Sequence, residues 1–135
     1  MEEQENHKEE IENASKDLMF ISETDAPLFY IEFVDIITEQ QLKIKLKTFS
    51  DKSDNIKLKT ETLDAFFKNA ITVQTWFEKE EKENVKKFLN LKKVLEKNLK
   101  AIKVYKLGKK EQNVFILGKN SIGTFAGLKT VVVET

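Results

Sequence analysis

The residues best suited to chemistry in this sequence are ones that would bind. The run Lys129-Thr130-Val131-Val132-Val133-Glu134-Thr135 has the β-branched content of a strand and carries it to the last residue. A hydroxyl, the Glu134 carboxylate and a terminal carboxylate at a strand tip make a compact anionic probe for a basic or metal-containing cleft on another molecule. The same run also reads as a strand that simply completes a sheet. Trp76, the only tryptophan, lies between Gln74-Thr75 and Glu78, just ahead of a charged helical pattern. There it is either a core filler or an interface anchor. Glu23 belongs to a polar bend that ends in the only proline, Pro27. It either closes its own turn or faces something basic.

Residues for catalysis are scarce. The single histidine, His7, sits among Glu and Lys in a polar terminal helix, and there are no cysteines. That removes thiolate chemistry, cysteine metal sites and a His-paired nucleophile. Gly118, Gly123 and Gly127 do not form a phosphate-binding loop, since no strand-to-helix transition with a downstream Lys-Ser/Thr follows them. Glu78, Glu80, Glu81 and Glu83 crowd the start of a helix, where the macrodipole favours negative charge without any metal.

The elements that must position the binding residues follow from periodicity. Residues 4–18 read as a helix with a narrow stripe of Ile11, Ala14, Leu18 and Met19. Leu28 to Val34 is apolar on both alternating faces, as in a strand covered on both sides. Leu42-Lys43-Ile44-Lys45-Leu46-Lys47 alternates strictly and reads as a second strand, and Ile56-Lys57-Leu58-Lys59 as a third, joined by a turn at residues 51–55. Thr60 or Thr62 would cap a short helix through Phe67. An irregular link over 72–77 precedes a long helix from about Glu80 to Leu99, with Val85, Phe88, Leu89, Leu95 and Leu99 on its apolar side. Strands at 102–107, 113–117 and 125–134 close the chain. The order αβββααβββ predicts a mainly antiparallel sheet covered by helices, an α+β sandwich.

At 135 residues and 40% hydrophobic content the chain suits one domain, residues 1–135, with a real core. Its start, Met1-Glu2-Glu3-Gln4-Glu5, is acidic where a signal peptide would be basic and then apolar, and no apolar run is long enough to span a membrane. A cytoplasmic protein is expected. Net charge is zero, but residues 1–40 hold 12 acidic residues against 2 lysines, net −10, which leaves +10 on residues 41–135. This predicts an electrically polarised molecule. All 23 basic residues are lysine, which disfavours bidentate reading of guanine or phosphate. Lys43, Lys45, Lys47, Lys57 and Lys59 read first as the wet face of a sheet and second as a nucleic-acid patch.

The stretch Asn69-Ala70-Ile71-Thr72-Val73-Gln74-Thr75-Trp76-Phe77-Glu78-Lys79-Glu80-Glu81, followed by Lys87-Phe88 and Asn98-Leu99-Lys100, resembles the nuclease A inhibitor family. So do Val104-Tyr105-Lys106-Leu107-Gly108, Val114-Phe115-Ile116-Leu117-Gly118, Ala126-Gly127-Leu128, Val132-Val133-Glu134-Thr135 and the N-terminal Ala14 to Glu23. Residues 36–59 are unlike it. The resemblance implies a helix-sheet-helix (αβα) sandwich, not an enzyme, that needs no cofactor. It implies a one-to-one partner, a sugar-non-specific, metal-dependent DNA/RNA endonuclease whose active site the protein occupies, with no direct contact to nucleic acid. The contacts it implies are Glu23 against a basic residue of the enzyme, Trp76 with the preceding Thr75, and Glu134-Thr135 toward the enzyme's metal. One departure is that Thr75 stands where the typical family inhibitor carries an acidic residue. Another is that this chain is neutral and that inhibitor acidic.

Overall fold

The computed structural model describes residues 2–21, 25–48, 58–68, 70–72 and 74–133, with the side chains of 2–6 and 21 left aside. The fold is α+β. Helix α1 (Glu2–Ser15) leads into strands β1 (Met19–Ile21), β2 (Asp25–Pro27) and β3 (Phe29–Phe33), then helix α2 (Glu39–Thr48) and strand β4 (Leu58–Glu61). Helices α3 (Leu63–Phe67) and α4 (Lys79–Asn98) follow, and strands β5 (Lys100–Leu107), β6 (Glu111–Lys119) and β7 (Phe125–Val133) complete it. Five strands form an antiparallel sheet in the order β3-β7-β6-β5-β4, and β1 and β2 pair separately as a hairpin.

Side-chain alternation along the central strands feeds two apolar clusters. Val104, Val114, Ile116, Ala126, Leu128 and Val132 pack with α1, α3 and α4 through Ile11, Phe67, Phe88, Leu91 and Leu95. Their neighbours Tyr105, Leu107, Phe115, Leu117 and Phe125 pack with Leu42 and Leu46 of α2. Each fully buried side chain of this size stabilises the fold by about 1.5–3 kcal/mol.

The alternating run at 42–47 is therefore helical. Leu42 and Leu46 are four apart, so a period of two and a helical period place them alike, and burial decides. Ile44 lies between them and is 63% exposed. A readable signal was the capping box at the helix start. The Gln41 backbone N–H donates to Thr38 Oγ1 (3.2 Å), and the Gln41 side-chain Oε1 accepts the N–H groups of Ile37 (3.0 Å) and Thr38 (3.2 Å). Lys43, Lys45 and Lys47 are thus on a helix, and only Lys59 of the expected lysine strands is described in a strand. Glu39 fastens α2 to the sheet, its carboxylate accepting from Lys103 (2.6 Å) and Tyr105 (3.0 Å).

Other expectations shift by less. β3 is an edge strand, so it is not covered throughout, and Phe29 is 61% exposed. On α4 it is Leu91 that is buried, while Leu89 faces outward. Thr62, not Thr60, caps α3 by accepting the Ala65 N–H at 3.0 Å. The turn expected at 51–55 lies outside the described residues. The acidic first segment and the basic remainder also touch. α1 packs along α4, and Glu10 meets Lys97 at 3.1 Å and Asn98 at 3.2 Å. Lys97, the first cause, holds the Glu10 carboxyl below its ordinary pKa. Gly127 marks where β7 runs tight against β6: a Cβ there would lie 1.8 Å from the Ile116 carbonyl oxygen.

Candidate functional site

The link between α3 and α4 holds Trp76 on a short, hydrogen-bonded frame. The Ile71 N–H donates to the Phe67 carbonyl (3.0 Å), and the Thr72 hydroxyl to the Lys68 carbonyl (2.5 Å). The Phe77 N–H then donates to the Gln74 carbonyl (3.1 Å), closing a turn with Thr75 and Trp76 at its centre. Beyond it, the Glu78 N–H donates to the Glu81 carboxylate (3.3 Å), so at least one of the crowded glutamates serves the start of α4. Thr75 is exposed and Trp76 is 70% exposed, touching the edge of Phe77 at a centroid distance of 6.1 Å and an angle of 89°. The core-filler reading of Trp76 is thereby excluded.

Phe20 anchors the β1–β2 hairpin. Its ring stacks on Phe66 at 4.4 Å with an interplanar angle of 6°, and meets Phe88 nearly perpendicular at 6.1 Å. Phe67 completes the cluster against Phe88 at 5.7 Å. Phe66 and Phe67 end α3, and Phe88 lies on α4, so the hairpin and the Trp76 link are tied to the same four rings. The Thr130 hydroxyl of β7 donates to the Pro27 carbonyl of β2 (2.9 Å), which ties the hairpin to the last strand as well. Glu23, Glu134 and Thr135 lie outside the described residues. Of the candidate residues, Thr75 and Trp76 are brought together.

Exposed apolar residues near the hairpin are absent from the sequence reading. A groove of about 590 Å³ runs between the end of α1 and the hairpin stem, lined in part by Lys16, Met19, Pro27, Phe29 and Tyr30. Spacing places Met19 on a helical stripe and Phe29 in a strand covered on both sides, whereas both are exposed, Met19 on β1 and Phe29 on the edge strand β3. Tyr30 donates to Glu32 (3.0 Å); burial, and then the neighbouring Glu32 charge, raises its pKa. Among the described residues no three of His, Cys, Asp and Glu gather to hold a metal, and no described helix is long and apolar enough to cross a membrane.

Trp76 is thus an exposed tryptophan on a tight turn between two helices that an aromatic cluster joins, an arrangement suited to an interface anchor. The family model of nuclease A inhibitor-like proteins matches residues 5–135, nearly the whole chain, and the protein belongs to that family. No curated protein matches it.

Proposed function

We propose that this protein inhibits a metal-dependent, non-specific DNA/RNA endonuclease by covering its active site. Trp76 supplies desolvated apolar area, with Thr75 beside it. Glu23 meets a basic residue that otherwise holds substrate phosphate, and Glu134 with Thr135 approach the enzyme's metal or its waters. The protein acts one-to-one, as a single domain, without a cofactor and without catalysing a reaction itself, in the cytoplasm. The observation that carries this reading is Trp76, 70% exposed yet held by a hydrogen-bonded turn, within a chain of this family. Holding an anchor rigid before binding reduces the ordering cost of association.

The test is a DNA-degradation assay with a non-specific metal-dependent nuclease, titrated with the protein and with Trp76→Ala. Loss of cleavage at one equivalent, relieved in the variant, is expected. A second reading is favoured by the neutral Thr75 and by the stretch 36–59, which lacks the resemblance the rest of the sequence carries and includes α2. In it the fold is a protein-interaction module without nuclease-inhibiting activity. Full cleavage at every protein concentration, with the nuclease drawn from the same source, would select that reading.

A further inference from the structure

The outer face of α4 is a row of lysines. At 100° per residue, Lys79, Lys82, Lys86, Lys93 and Lys97 fall within an arc of about 60°. All five are exposed, opposite the buried Val85, Phe88, Leu91 and Leu95. The row is about 27 Å long at 1.5 Å per residue. Lys97 pairs with Glu10 at 3.1 Å. Among the described residues, Lys79, Lys82, Lys86 and Lys93 have no ion pair. The helix also carries carboxylates: Glu81 takes the Glu78 N–H, and Glu96 pairs with Lys92, which also reaches Asp64 at 2.7 Å, while the exposed Glu83 lies one turn from both Lys79 and Lys86 without an ion pair to either. Lys82 and Lys86, and Lys93 and Lys97, are four residues apart and repel one another, an effect that Glu78 and Glu83 offset at the start of the helix.

We propose that this row is a sequence-independent contact for the phosphate backbone of nucleic acid. A straight ridge of lysines complements a linear polyanion. The sequence has no arginine, and the row has no aromatic residue, so neither base-edge reading nor base stacking is provided. Only backbone neutralisation remains, and lysine, a point charge, suffices for it. The row begins three residues after Trp76, leaving the loop free for a protein partner. This contact stands apart from the proposed nuclease inhibition, and it goes against the expectation that no nucleic acid is touched.

Fluorescence anisotropy with a random-sequence 20-bp duplex, from 50 to 200 mM salt, tests it. Four unpaired lysines give a log–log salt slope of about −3.6, hence a fall in affinity of roughly 150-fold across that range. Replacing Lys82, Lys86 and Lys93 with Gln leaves one of the four, and the slope should fall to about −0.9. These side chains are exposed, so the variant keeps its unfolding transition. A wild-type slope near zero, or one unchanged in the triple variant, overturns the proposal. Equal binding to poly-glutamate at the same salt overturns it in favour of an acidic protein partner. Trp76→Ala, which should weaken nuclease inhibition, should retain the DNA slope; loss of the slope there would move the contact to the loop.

Discussion

Replacing Trp76 with Ala separates binding from folding, and the structure sets both magnitudes. A tryptophan exposes up to roughly 250 Å², of which about 30%, or about 75 Å², is covered in the free protein. At about 25 cal/mol per Å² that area contributes at most about 2 kcal/mol to stability, an upper bound because the unfolded chain already covers part of it. A fully buried tryptophan would cost about 3–5 kcal/mol. The remaining area, about 175 Å², is free to be covered by a partner and corresponds to about 4 kcal/mol before ordering costs. Inhibition should therefore weaken by at least about 2 kcal/mol, roughly 30-fold. Urea unfolding followed by circular dichroism gives the first quantity, and a titration of nuclease activity gives the second. A variant that loses 3 kcal/mol or more of stability, or one that inhibits as well as the parent, refutes the reasoning.

Three other outcomes are expected. Glu23→Ala should weaken inhibition by about 2–5 kcal/mol, mainly through faster dissociation, with Glu23→Gln milder; equal inhibition constants for both variants and the parent would reduce the bend to a turn. Residues added after Thr135, or its deletion, should weaken inhibition without changing the unfolding midpoint, and a C-terminally tagged protein that inhibits as well as one tagged at Met1 would remove Thr135 from the mechanism. Glu39, whose carboxyl the Lys103 ammonium and then the Tyr105 hydroxyl hold below the ordinary range, contributes stability at neutral pH. The unfolded state takes up its proton first, so this stability is lost as pH falls through the depressed folded value. Between pH 6 and pH 3 the urea midpoint of the parent should fall further than that of Glu39→Gln, and parallel curves would show that the contact is not felt.

The long helix, the last three strands and the exposed loop around Trp76 are legible in the sequence because period and position agree there. Helix α2 is not, since Leu42 and Leu46 satisfy two periods at once and Ile44 belongs to only one of them. Thr38 and Gln41 held the deciding information, because a capping box has meaning only for a helix. Leu89 and Leu91 are two residues apart on α4, and an error of a fraction of a turn in phase exchanges their roles. Charge counts follow the order of the sequence and do not show that α1 lies beside α4, where Glu10 meets Lys97. The loop position of Trp76 is legible, but its residues alone leave core filler and interface anchor both open, and Thr75 enters only through the family resemblance. Nothing in the spacing foretold that Phe20 would join their support, because its partners Phe66, Phe67 and Phe88 are more than forty residues away.

The close approach at Gly127 makes β7 a ruler. With no Cβ, residue 127 lets β7 lie against the Ile116 carbonyl, and no other residue type can occupy that place without pushing the two backbones apart. Strand β7 is thereby pinned at one point of its length, opposite Leu117 of β6 and Ile31 of β3. Everything beyond is measured from that pin at about 3.3 Å per residue. One residue gained or lost between Leu128 and Val133 would therefore shift whatever follows by one increment and turn each side chain to the opposite face. Substitutions on this stretch can drift, but its length cannot, and related chains should differ here in residue type while never differing in count.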